Sequence, residues 1–279
     1  MSDTKVPGGR RWLLNIGIGI IVVYCLTPFY WMVVSAFRRT NDIGDKSPLP
    51  SPWSLENFEA VFSPSVGFWR SLGNSLVVAG TTTVVTLIVG TFAAYTLARL
   101  DFRFKNIAAG IIIATSMFPG VSLIVPLLKL FTDIGWINTY QAMIVPSLSF
   151  ALPLAVWTLA TFFRQMPKEL EEAAMVDGLT RGQAFRKVIL PLAAPGMFTT
   201  AIITFIAAWN EFIIALSMVN QKEMKTATVA ISQFTGAYGY DSPFGTKMAA
   251  GVIVTVPLVI VVLIFQRRII AGLTAGGVK

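Results

Sequence analysis

Histidine is absent from this 279-residue chain, and cysteine occurs once, at Cys25. The first absence removes the commonest general base and metal ligand. The second excludes an intramolecular disulfide and a cysteine metal cluster, and the lone thiol sits inside an apolar run, where a buried structural role suits it. Charge is scarce as well: Asp, Glu, Lys and Arg make up 13% of the residues, against about 25% in a soluble domain. No G-x-x-x-x-G-K-[ST], H-E-x-x-H or G-x-S-x-G stretch occurs, which removes a P-loop and two common hydrolytic motifs. The residues point to no enzyme, no catalytic group and no metal site.

What the chain does have is apolar length. Hydrophobic residues make up 54% of it, gathered in six runs at about 12–37, 71–98, 106–128, 140–163, 190–218 and 248–265. A helix needs roughly 20 such residues to cross a bilayer. The expected fold is therefore all-α, a polytopic membrane protein with six transmembrane helices. Residues 1–11 and 266–279 read as tails around one membrane domain at 12–265. The first run is too long for a signal-peptide core and lacks a small-x-small cleavage site, so it reads as a retained helix. The net charge of +8 does not point to nucleic acid, because the basic residues are scattered between the runs and form no stripe. With the N-terminus inside, the tails and inner loops carry 14 Lys and Arg against 8 outside, as the positive-inside rule prefers. Both termini and the loop 164–190 then face the cytoplasm.

Pro119, Pro126, Pro146, Pro153, Pro195 and Pro257 fall inside the later runs. Prolines survive there when neighbouring groups satisfy the freed carbonyls, either as packing kinks or as the lining of a path that opens and closes. Glu211 is the one acid inside a run. It lies near the outer end, where it either reaches interfacial water or lines a pathway. Beside it Trp209 and Asn210 offer an aromatic face and an amide, which suit sugar contact and a membrane-interface belt equally.

The longest polar interval between two long runs centres on residues 167–191. Pro167 suits the first turn of a helix, and Glu169, Glu171 and Glu172 suit its positive end. Gly178 is a natural C-cap, and Thr180 with Gln183 has the spacing of a capping box. The interval reads as a helical elbow bent at Gly178. Ala173 and Ala174 leave one surface without bulk for another protein's backbone. Its carboxylates read as solvated.

Glu172-Ala173-Ala174, then Gly178, then Val188-Ile189-Leu190-Pro191, ahead of the second-last run, resembles the EAA loop of ABC-importer permease subunits. Val188 stands where Ile is usual. Residues 272–279 and Trp209-Asn210-Glu211-Phe212 are similar to sequences of MalG-type carbohydrate permeases, and the resemblance covers roughly residues 12–279. It implies a cytoplasmic coupling-helix (EAA) loop at 164–190 in a sugar-importer permease of the bacterial inner membrane, working by alternating access. The partners implied are a second, MalF-like permease, a homodimeric MalK-like P-loop ATPase and an extracytoplasmic sugar-binding protein. ATP and Mg would be bound by that ATPase, with no cofactor in this chain. Glu172, Ala173, Ala174, Gly178, Leu190 and Pro191 would dock the ATPase, with Thr274, Gly276 and Gly277 of the tail at its interface. Gln233 and Tyr238 would face the binding protein. A self-contained secondary transporter or channel is the rival reading. It calls for mid-membrane acids and repeated halves, whereas Glu211 is off-centre and no clear repeat is visible.

Overall fold

The computed structural model describes residues 8–64, 66–234 and 243–275. Among these, every regular element is helical and no strand occurs. Five helices are long and apolar enough to cross a bilayer: Trp12–Ala36, Phe68–Arg99, Tyr140–Gln165, Arg181–Trp209 and Phe244–Phe265. A bent pair, Lys105–Ser116 with Gly120–Asp133, supplies a sixth span when taken together. The chain divides into two compact units, 1–68 with 231–256 and 69–230 with 257–279.

In the first unit, α1 (Gly8–Ala36) exposes most of its apolar side chains. Cys25 is exposed with them, not buried as its apolar setting suggested. An exposed apolar surface of this length suits a helix that crosses a bilayer. The C-terminal end of α1 is fastened by buried polar groups. Asn57, on α2 (Glu56–Val61), donates from Nδ2 to the carbonyls of Ala36 at 3.1 Å and Arg38 at 2.6 Å. The first is one of the carbonyls that the end of a helix leaves without a partner, and the second lies just beyond that end. Arg38 is itself buried, donating to the carbonyls of Asp45 and Ser47.

The second unit is built on α3 (Phe68–Arg99), from Trp69 onward. The third apolar run is not one straight helix. It forms α4 (Lys105–Ser116) and α5 (Ile124–Asp133), with a 3-10 turn at Gly120–Leu123, and the axis bends by 88°. Pro119 disfavours helical geometry at Phe118 and is itself extended, with ψ 109°. The Thr115 carbonyl, which Pro119 cannot reach with an N–H, accepts from Phe118 at 3.3 Å, and beside it Thr115 donates to the Ile112 carbonyl at 2.7 Å and Ser116 to that of Ile113 at 2.6 Å. Gly120 brings the backbone against the ring of Phe150, which a Cβ would meet at 2.9 Å. By contrast Pro146 and Pro153 stay inside α6 (Tyr140–Gln165), buried.

After α6 come α7 (Glu169–Val176), α8 (Arg181–Ala184), a π turn at Phe185–Ile189, and α9 (Leu190–Trp209). The fifth run also breaks, between Trp209 and α10 (Ile213–Met218). Glu211 makes the break: its carboxylate accepts the N–H groups of Ile214 at 2.7 Å and Ala215 at 3.0 Å, starting the new helix. An acceptor that satisfies first-turn donors acts as a helix cap. Next, α11 (Ala227–Ser232) and α12 (Phe244–Ala275) complete the described residues.

At one end of this unit the segment leading into α11 is tied down by three side chains. Asn138, at φ 62°, accepts the N–H groups of Asn220 and Gln221 at 2.8 and 2.9 Å. Asn74 donates to the carbonyls of Glu223 and Lys225, and accepts from Tyr140 Oη at 2.7 Å. Ser75 accepts from the Ala227 N–H at 2.9 Å.

Candidate functional site

The elbow between α6 and α9 is assembled from local signals. Glu169, Glu171 and Glu172 occupy the first turn of α7, and Pro167 stands just ahead of its N-cap, Lys168. The helix ends in a Schellman arrangement. Gly178 lies at φ 88°; its N–H donates to the Met175 carbonyl at 3.0 Å, and the Leu179 N–H to the Ala174 carbonyl at 3.1 Å. Two end carbonyls are thereby satisfied, through a left-handed position that glycine takes without a Cβ penalty. The capping box forms as spaced. The Gln183 N–H donates to Thr180 Oγ1 at 3.4 Å, and the Thr180 N–H donates to Gln183 Oε1 at 2.9 Å. The π turn follows from Pro191, which lacks an N–H and whose ring would crowd the Lys187 carbonyl in a regular α-turn.

The two alanines part at this point. Adjacent helical residues point about 100° apart, and Ala174 turns inward, buried, while Ala173 is exposed. Glu169, Glu172, Ala173 and Val176, at helical spacing, are all exposed, and Val176 is 87% exposed. This outward face is open, short in bulk at its centre, and apolar at Val176.

The inward face carries a group that sequence reasoning misplaced. Glu171 is buried, not solvated. Its Oε1 accepts a 2.5 Å hydrogen bond from Tyr95 Oη on α3, and Arg181 Nε stands 3.9 Å away across the elbow. An O–H···O⁻ bond of that length is of the charge-assisted kind, which a buried carboxylate needs to offset lost hydration. Close by, Arg99 Nη2 donates to the Met166 carbonyl at 2.9 Å. Beneath lies an aromatic cluster, with the Tyr95 ring 4.4 Å from that of Phe185 and 5.9 Å from that of Phe163. The one signal for Glu171 was its i, i+3 spacing with Ala174. Its partner lies 76 residues earlier.

The other expected residues lie apart from the elbow's outer face. Leu190 is half-buried and Pro191 exposed; together with Leu87, Ala194, Met197 and Phe198 they line an apolar groove of about 390 Å³. Trp209 is buried, stacked on Phe205 at 5.6 Å, while Asn210 is exposed and donates to the Ile206 carbonyl. Gln233 is exposed just after α11. Thr274 falls within α12, and Tyr238, Gly276 and Gly277 lie outside the described residues. No group of three or more metal-ligating side chains gathers among the described residues.

Apolar helices long enough to cross a bilayer, interrupted by a polar, capped elbow with one open outward face, define a polytopic membrane protein. The chain belongs to the family described as binding-protein-dependent transport system inner membrane component, whose model matches residues 86–274. A trehalose transport system permease protein, SugB of Mycobacterium tuberculosis, is 44% identical over 93% of this chain and 94% of its own length. A trehalose/maltose transport system permease protein, MalG of Thermococcus litoralis, is 41% identical over 97% of both. The fold is also that of a subunit of a bacterial ABC transporter involved in alginate import, at a TM-score of 0.79 and 20% identity over 95% of this chain and 99% of that one. These relatives are transport permeases, not enzymes, and this chain is a multi-pass permease subunit of an ABC importer.

Proposed function

We propose that this permease imports a small oligosaccharide of the trehalose or maltose kind, together with a second permease that completes the translocation path. The observation that carries the reading is the end-to-end identity with the trehalose permease protein, 44% over 93% of the chain. An extracytoplasmic binding protein delivers the sugar, and two copies of a P-loop ATPase, which bind ATP and Mg, drive alternating access from the cytoplasm. In this reading both termini are cytoplasmic, residues 1–11 and 266–279 are tails, and 12–265 is the membrane domain. The ATPase seats on the outward face of the elbow: Glu172 and Ala173 with Val176, and Gly178 setting the angle of the second arm. Ala174 serves by letting α7 pack close to its own chain, and Leu190 and Pro191 serve by ending the π turn. Thr274, Gly276 and Gly277 extend toward the ATPase interface, and Gln233 and Tyr238 face the binding protein. Of the trio after α9, Asn210 is the group free to meet sugar, while Glu211 holds the start of α10.

The test is co-purification of the tagged chain from mild detergent, followed by mass spectrometry. A second permease and a P-loop ATPase are expected with the native chain, and the ATPase is lost from the Glu172→Lys and Gly178→Pro variants. The co-purified binding protein then binds trehalose or maltose in solution. A homo-oligomer without ATPase would contradict the reading and favour a self-contained transporter.

A further inference from the structure

We propose that Tyr95 and Glu171 are positioning residues that lock the first arm of the elbow to α3, so that ATPase movement turns α3 and α7 as one body. The proposal rests on the docking reading above. Exposed acids at the start of a helix need no partner, yet Glu171 is buried and sits within 2.5 Å of Tyr95 Oη. An uncompensated buried carboxylate is strongly disfavoured, so its burial is structurally meaningful only while Tyr95 donates. Arg99, one helical turn beyond Tyr95 on α3, holds the Met166 carbonyl at the other side of the same arm. Two attachments from one helix face therefore grip the arm at Met166 and Glu171. Arg181 Nε, 3.9 Å from the same Oε1, extends the link to the second arm. The outward face with Glu172, Ala173 and Val176 takes no part in these contacts, which leaves it free for the ATPase while the inward face carries the movement to α3.

The experiment uses the assembled transporter in lipid nanodiscs with Cys25→Ser, and spin labels at two exposed positions off the outward face of the elbow, Leu170→Cys on α7 and Ile88→Cys on α3. Distances are measured without nucleotide and with ADP-vanadate trapped in the ATPase. The native pair is expected to give one narrow, unchanged distance in both states. With Tyr95→Phe or Glu171→Ala the narrow peak is lost in the trapped state, while the ATPase still co-purifies. Glu171→Gln, which keeps an acceptor for Tyr95 Oη, restores it. The Tyr95→Phe, Glu171→Ala double variant is no worse than either single one, as expected for partners in one bond. A narrow, unchanged distance in Tyr95→Phe would overturn the proposal. Failure of the docking reading looks different: the ATPase would stay bound to a Gly178→Pro chain, and the proposal would fall with it.

Discussion

Gly196 on α9 faces the ring of Phe162 on α6 so closely that a Cβ on Gly196 would come within 2.6 Å of Phe162 Cγ. Such small-residue contacts let membrane helices approach where lipid provides no hydrophobic push between them. Gly196→Ala is therefore expected to destabilise the protein by about 1–3 kcal/mol, as overpacking does. Thermal unfolding in detergent checks this. In a Phe162→Ala background the Gly196→Ala step should cost much less, because the Cγ and Cδ atoms that the added methyl would meet are gone.

Gly178 presents the opposite case. No atom lies within 4 Å of a Cβ built there, so space is not what demands glycine. The demand comes from its φ of 88°. A left-handed conformation costs an ordinary residue about 1–2 kcal/mol. Gly178→Ala should loosen the end of α7, read as faster amide exchange at Gly178 and Leu179. Gly178→Asn should exchange more slowly than the alanine variant, since asparagine tolerates this region better.

The elbow was legible in the sequence because its signals are local. A Thr180–Gln183 spacing and a glycine at the end of a helix mean the same thing wherever they occur. The apolar runs were legible by length. The bends were not. Pro119 breaks its helix while Pro146 and Pro153 do not, and one local difference is Gly120, which follows Pro119 and sets the backbone against the ring of Phe150. Glu211 looked like a lone acid in a span because nothing in the string says that its carboxylate starts α10. Glu171 and Glu172 look identical in sequence, and their roles separate only when helix phase puts one against Tyr95.

Thr180→Ala removes one half of the capping box. The expected loss is about 1 kcal/mol of local stability. It should appear as faster exchange of the Gln183 N–H, which Thr180 Oγ1 now accepts at 3.4 Å. Thr180→Ser keeps the oxygen and should remain close to the native rate.

Asn138 combines two demands, a left-handed backbone and a side-chain acceptor for two N–H groups. Asn138→Gly meets the first alone and Asn138→Ala neither. Amide exchange at Asn220 and Gln221 should accelerate in both variants, more in Asn138→Ala. Leaving those donors without an acceptor costs roughly 1–3 kcal/mol if water cannot replace it.

The most direct measurement places a photo-crosslinking residue at Ala173 or at Ala174 and irradiates the assembled transporter. These neighbours differ in one respect, that Ala173 points outward and Ala174 into its own chain. The expected result is a strong adduct from Ala173 with a P-loop ATPase, and from Ala174 none with any other chain. Equal adducts from both positions, or lipid alone from Ala173, would contradict the elbow as the site where the ATPase docks.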